Sequence, residues 1–165
     1  SDNEIQDEGE ANDTAIIHWE EGEQPSGGCD INGTNGPETL TGTEESERIC
    51  GFGGDDVISG GGGNDVIIGG RGNDRLRGNS GNDLVRGNPG HDRAFGGGGR
   101  DRVLGGSGND LLKGHRGNDR LRGHGGRDTL DGGRGRDSCV GAKGQDVERN
   151  CETGARGFAR RARLI

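Results

Sequence analysis

Nothing constrains this chain more than its period: from Gly33 to Arg149 it runs as thirteen consecutive nine-residue units with no insertion or deletion. In register the central units read GGGGNDVII (60–68), GGRGNDRLR (69–77), GNSGNDLVR (78–86) and GGSGNDLLK (105–113), a G-G-x-G-x-D-x-U-x pattern in which U is apolar. Units this short cannot bury a face alone and are stable only when stacked. The first six residues of each unit are turn-forming and the last three strand-forming, so two units close one coil of 18 residues. The predicted fold is all-β: a right-handed parallel β-roll, or β-solenoid, of about thirteen nonapeptide units, two per coil. Position eight, from Leu40, Ile49, Ile58 and Ile67 onward to Leu130, points inward from each short strand and forms a thin aliphatic seam between two sheets.

That seam is too slight to order the chain unaided. Only 24% of the 165 residues are hydrophobic and 40 are glycine, a composition that by itself reads as disorder. Glycine loses the most conformational freedom on folding, so something beyond the polypeptide must complete the structure. Glycine fills position one of all thirteen units and position four of all but 42–50, where Glu45 stands. Such regularity predicts backbone that is left-handed or too crowded for a Cβ. Position five is Asn64, Asn73, Asn82, Asn109 and Asn118 in five units and Asp55 in another, residue types that tolerate left-handed geometry.

Position six carries the chemistry. It is aspartate in eleven successive units: Asp56, Asp65, Asp74, Asp83, Asp92, Asp101, Asp110, Asp119, Asp128, Asp137 and Asp146. Alternate units fall on opposite edges, so these carboxylates form two columns with neighbours about 5 Å apart, an arrangement that repels itself unless neutralised. Local Asx-turns would explain one or two such aspartates, but not eleven in phase. A hard dication between successive turns resolves the conflict. Its oxygen shell would come from two aspartates and from carbonyls of the glycine-rich turns, the candidates being Gly54, Gly63, Gly72, Gly81, Gly90, Gly99, Gly108, Gly117, Gly126 and Gly135. Calcium accepts that shell more readily than magnesium, which demands a tighter octahedron and keeps its waters. Five gaps in one column and four in the other give roughly nine Ca2+ ions. The first two units hold Glu38 and Glu47 at this position and are expected to act as a calcium-free cap.

The four cysteines bracket the repeats. Coils stack about 4.8 Å apart, which separates the front pair from the back pair by roughly 29 Å, far beyond disulfide reach. Only Cys29 with Cys50 and Cys139 with Cys151 are feasible, as staples on the two ends, and oxidised pairs imply an exported, extracellular protein. Residues 1–28 carry nine acidic side chains and no Lys or Arg, with an apolar patch at Ala15, Ile16, Ile17 and Trp19; they read as an acidic, disordered leader. The roll is bounded at 29–152. Residues 153–165 are a basic tail or cap containing four arginines. No apolar run is long enough to span a membrane.

The repeat resembles the RTX, or haemolysin-type calcium-binding, family, over about seven-tenths of the chain. Its cysteine-bracketed ends, CDINGTNGPETLTGTEESERICGFGGDDVI and RDSCVGAKGQDVERNCE, are similar to secreted calcium-binding RTX proteins of Gram-positive bacteria. The resemblance implies a β-roll that is unfolded without calcium and folds on export. No catalytic motif accompanies it: HExxH, G-x-S-x-G and the Walker loop are absent, and Ser80 and Ser107 lie outside any nucleophile elbow. No enzyme activity is therefore expected. His91, His115 and His124 occupy turn positions, the last two on opposite edges, which speaks against a zinc site.

From Cys29 onward there are 20 acidic and 21 basic side chains, so bound calcium would leave the roll cationic. Its exposed arginines then suit polyanionic surface polymers, while nucleic acid is not expected as a specific partner. The same arginines also serve solubility and oppose edge pairing. The leading function is calcium binding with a structural or surface-associated role. Ice binding or adhesion by a flat β-solenoid face, or service as a detached accessory domain of a secreted toxin or hydrolase, are the alternatives.

Overall fold

The computed structural model describes residues 28–152. The acidic leader with Trp19 and the basic tail lie outside the described residues. Fourteen strands, numbered in chain order, alternate between two seven-stranded parallel sheets. The first sheet stacks β1 (Ile31–Asn32), β3 (Arg48–Gly53), β5 (Val66–Arg71), β7 (Leu84–Pro89), β9 (Arg102–Ser107), β11 (Arg120–Gly125) and β13 (Ser138–Lys143). The second stacks β2 (Thr39–Thr41), β4 (Val57–Gly61), β6 (Arg75–Ser80), β8 (Arg93–Gly98), β10 (Leu111–Arg116), β12 (Thr129–Arg134) and β14 (Val147–Arg149). Register partners lie 18 residues apart, Leu112 opposite Leu130 and Leu121 opposite Val103, so the chain is a β-solenoid of about seven coils. No helix among these residues is long and apolar enough to cross a membrane.

The strands differ from expectation in length. From β5 to β13 each has six residues, positions seven to nine of one unit and one to three of the next, and only Gly-x-Asp remains as turn. The glycine positions have little β propensity, but identical coils in register offer each of them a backbone partner, and tertiary pairing overrides propensity. His115 and His124 consequently sit in β10 and β11, on opposite sheets, rather than in turns.

Left-handed backbone also falls elsewhere than expected. The position-five asparagines do not adopt positive φ; position two does, including Phe52, Asn79, Asn88, His115, His124 and Ala142. The two recurrent glycines answer to different constraints. At position four of the eleven aspartate units the backbone is left-handed: Gly81 has φ of 128°, and a Cβ there would lie 1.5 Å from the Gly63 carbonyl oxygen. At position one there is no room. A Cβ on Gly51 would sit 2.3 Å from Asp56 Oδ2 and 2.5 Å from the Gly69 carbonyl oxygen.

Position eight forms the core as predicted. Ile49, Ile58, Ile67, Leu76, Val85, Ala94, Val103, Leu112, Leu121 and Leu130 are buried in one file, with Ile31, Leu40 and Cys139 closing its ends. Both disulfides have the predicted pairing, Cys29–Cys50 and Cys139–Cys151, with Cα atoms 6.0 and 5.7 Å apart. They close loops of 21 and 12 residues, and restricting the unfolded chain by such loops stabilises the end coils by about 3 kcal/mol each.

Candidate metal centre

Each Gly-x-Asp turn ends in an aspartate whose side chain points into the roll. Ten of them, Asp56 through Asp137, are at most 3% exposed; Asp146, on the last coil, is half-buried. Within a buried carboxylate the two oxygens have different surroundings. Oδ1 accepts a hydrogen bond from the backbone amide of the aspartate one coil earlier, as in Asp56 N to Asp74 Oδ1 at 2.9 Å and Asp83 N to Asp101 Oδ1 at 2.9 Å. These bonds run the length of both columns and join the coils edge to edge. Oδ2 is buried in all ten and has no hydrogen-bond partner among the described residues.

Burying a polar atom without a partner costs about 1–3 kcal/mol, and more when it is charged. The cost is visible in the ionisation of these groups. Burial pushes the carboxyls of Asp92 and Asp101 up to about 7 and those of Asp74 and Asp110 up to about 6; the amide bond to Oδ1 opposes the shift and neighbouring carboxylates reinforce it. Asp56, Asp65, Asp83, Asp119 and Asp128 move in the same direction, again chiefly through burial.

The surroundings of Oδ2 are rich in oxygen. Where a Cβ would project from the position-one glycine, Asp65 Oδ2 lies within 2.2 Å and the Gly78 carbonyl oxygen, one coil on, within 2.8 Å; Asp83 Oδ2 and the Gly96 carbonyl stand likewise at 2.1 and 2.5 Å. The carbonyls of the position-four glycines sit nearer Oδ1: a Cβ on Gly90 would lie 1.6 Å from the Gly72 carbonyl oxygen and 3.2 Å from Asp92 Oδ1. The position-one carbonyls were absent from the candidates read in the sequence, although an invariant first glycine was the signal for them. A buried carboxylate oxygen without a donor, converging with neutral carbonyl oxygens, is an all-oxygen set that fits a hard dication and not a soft metal. Among the described residues no three His, Cys, Asp or Glu side chains gather in one cluster. Any such site is built from paired carboxylates and backbone.

A family model for the RTX calcium-binding nonapeptide repeat (4 copies) matches residues 32–76, 50–85, 77–112, 86–121 and 113–148, well over half of the chain. The chain belongs to the RTX calcium-binding repeat family. No curated relative matches it. Within this RTX roll the first two units depart from the rest. Glu38 bends back onto its own turn, accepting from the Thr34 amide at 3.0 Å and from the Thr34 hydroxyl; Glu47 does the same with Thr43. These carboxylates are satisfied by their own units.

A second ladder runs outside the aspartates. Position-five side chains accept from the amide one coil later, as in Asn73 N to Asp55 Oδ1 at 2.7 Å, Asn82 N to Asn64 Oδ1 at 2.7 Å and Asn109 N to His91 Nδ1 at 2.8 Å. Its direction is opposite to that of the aspartate ladder. Coil-to-coil bonding at the turns, rather than left-handed backbone, is what these asparagines provide.

Proposed function

We propose that this RTX chain is a secreted calcium-binding roll that orders when Ca2+ enters its aspartate turns, and that it works without catalysis as a structural or surface-associated protein. The observation carrying this reading is the row of ten buried Oδ2 atoms with no partner. The holding residues would be Asp56 through Asp146 in their two columns, with glycine carbonyls of positions one and four, giving roughly nine ions. Calcium, when bound, would neutralise and bridge carboxylates that the fold otherwise buries at a cost. The two disulfides support an oxidising, extracellular setting.

Far-UV circular dichroism during a calcium titration tests the proposal, with magnesium as control. A cooperative coil-to-β transition at about 0.1–1 mM calcium, the range of extracellular modules, is expected, with magnesium ineffective. Full β signal after exhaustive chelation at neutral pH would refute the coupling of folding to calcium.

A further inference from the structure

The six middle strands, β6 to β11, contain no acidic residue, and the aspartates of the turns between them are buried. They carry nine Lys or Arg side chains: two each on β6, β10 and β11, and one each on β7, β8 and β9. Exposed acids stand only toward the ends, among them Glu44, Glu45 and Asp55 at the front and Glu148 and Glu152 at the back, with Asp131 half-buried. Solubility alone favours interspersed signs. Here arginines are instead direct cross-strand partners on strands about 4.8 Å apart, Arg75 with Arg93 on one sheet and Arg102 with Arg120 on the other, a destabilising arrangement of like charges.

The basic zone has a shape. On the second sheet, Arg77, Asn79, Phe95, Gly97, Lys113 and His115 line an open cleft of about 380 Å³. Its plan follows from register. Phe95 stands between Arg77 and Lys113 in one row, and Gly97 between Asn79 and His115 in the next; the glycine leaves the gap and the Phe95 ring, 5.9 Å from the His115 ring, walls it. Lys113 faces Asp131 on the following strand, but Asp131 accepts from Asn150 Nδ2 at 2.7 Å and pairs with no cation among the described residues. Across the roll, β7, β9 and β11 repeat the plan: Arg86, Leu104 and Arg122 in one row, Asn88, Gly106 and His124 in the next. Two faces thus present the same constellation, two cations on strands about 9.6 Å apart astride an apolar side chain, with amide and imidazole beside a gap.

We propose that each face binds a linear acidic polysaccharide, so that one roll bridges two glycan strands. The cations would meet carboxylate or sulfate groups, Phe95 and Leu104 would receive the C–H face of a sugar ring, and the Asn and His side chains would hydrogen-bond its hydroxyls. Single-stranded nucleic acid is the poorer fit, since it calls for successive stacking aromatics and the two constellations hold one aromatic ring between them, discounting the imidazoles. The inference rests on the folded roll proposed above.

The test is isothermal titration of the full, calcium-loaded chain with octasaccharides of hyaluronan (carboxylate) and heparin (sulfate), with a neutral dextran octasaccharide and a single-stranded oligonucleotide of matched charge as comparisons. Circular dichroism on the same samples checks that every variant is folded, which separates failure of this inference from failure of the calcium reading. Two sites per wild-type chain are expected for one or both acidic saccharides, and which of them binds assigns the anion. Arg77→Ser with Lys113→Ser should leave one site, Arg86→Ser with Arg122→Ser should leave the other, and Arg71→Ser with Arg134→Ser, outside both constellations, should leave two. Equal weakening by all three double variants, oligonucleotide binding as tight as the saccharides, dextran binding, or no saccharide binding by a folded roll would each overturn it.

Discussion

The first two turns and the eleven that follow differ in backbone as well as by a methylene: positions two and four have positive φ in all eleven aspartate units and in neither glutamate unit. Glu38 and Glu47 are long enough to return to their own Thr34 and Thr43, which supply an amide and a hydroxyl. An aspartate cannot reach as far, and position two of its unit is glycine, asparagine, histidine, phenylalanine or alanine, never threonine. Its Oδ1 therefore serves the preceding coil and its Oδ2 is left buried without a donor. A turn that satisfies itself makes a cap, stapled further by Cys29–Cys50. A turn that does not is where the proposed ion would sit.

The largest effect that sharpens this contrast is on pH dependence. The aspartate carboxyls are raised in the folded roll, so without calcium their protonated forms favour folding. That stability is present in full below the unfolded value near 4 and is lost as pH rises through about 6 to 7. In chelator the chain should gain β structure on acidification to pH 4–5. With calcium the trend reverses, because protons compete for the same oxygens and the calcium midpoint rises below about pH 6. A chelated roll whose circular dichroism is flat across this range would break the comparison.

Single turns come next. Asp101→Ala strands the buried amide of Asp83 and should cost about 1–3 kcal/mol in calcium beyond the lost ion contacts, read from the urea midpoint. Asp146→Ala should cost less, since the last turn is half-buried and water can replace the carboxylate. Equal costs would contradict the burial argument. Asp92→Asn with Asp110→Asn retains both Oδ1 acceptors and removes two buried charges. In chelator above pH 7 this pair should be more β-structured than wild type, yet need more calcium to saturate; an unchanged calcium midpoint would remove the aspartates from the site.

Much of this was legible in the repeat. The eight-position file of Ile49 to Leu130 followed from the period, and so did the two columns of Asp56 to Asp146 and the cysteine pairing. What escaped was decided by coil-to-coil register, which no single unit encodes. Gly97 and Gly106 pair as strand because an identical coil lies beside them, although their composition reads as turn. The Gly78 carbonyl beside Asp65 Oδ2 comes from a different coil, so proximity in sequence could not suggest it. Likewise Asn64 and Asn73 spend their side chains on the next coil's amide, a use that their tolerance of left-handed backbone concealed.

The smallest effect would convert one region into the other. Glu47→Asp with Thr43→Gly and Glu45→Gly recreates an aspartate turn next to Asp65 in its column, and equilibrium dialysis should then find one additional calcium ion per chain. An unchanged stoichiometry would mean that the glutamate is not what keeps the cap free of metal.

Residue-resolved hydrogen exchange above pH 7, in calcium and in chelator, tests the central claim most directly. The amides of Asp56, Asp74, Asp92 and Asp110, which donate to the next carboxylate in the column, should be protected in calcium and exchange as in an unfolded chain once it is removed. Protection of those amides that is the same with and without calcium would contradict the account.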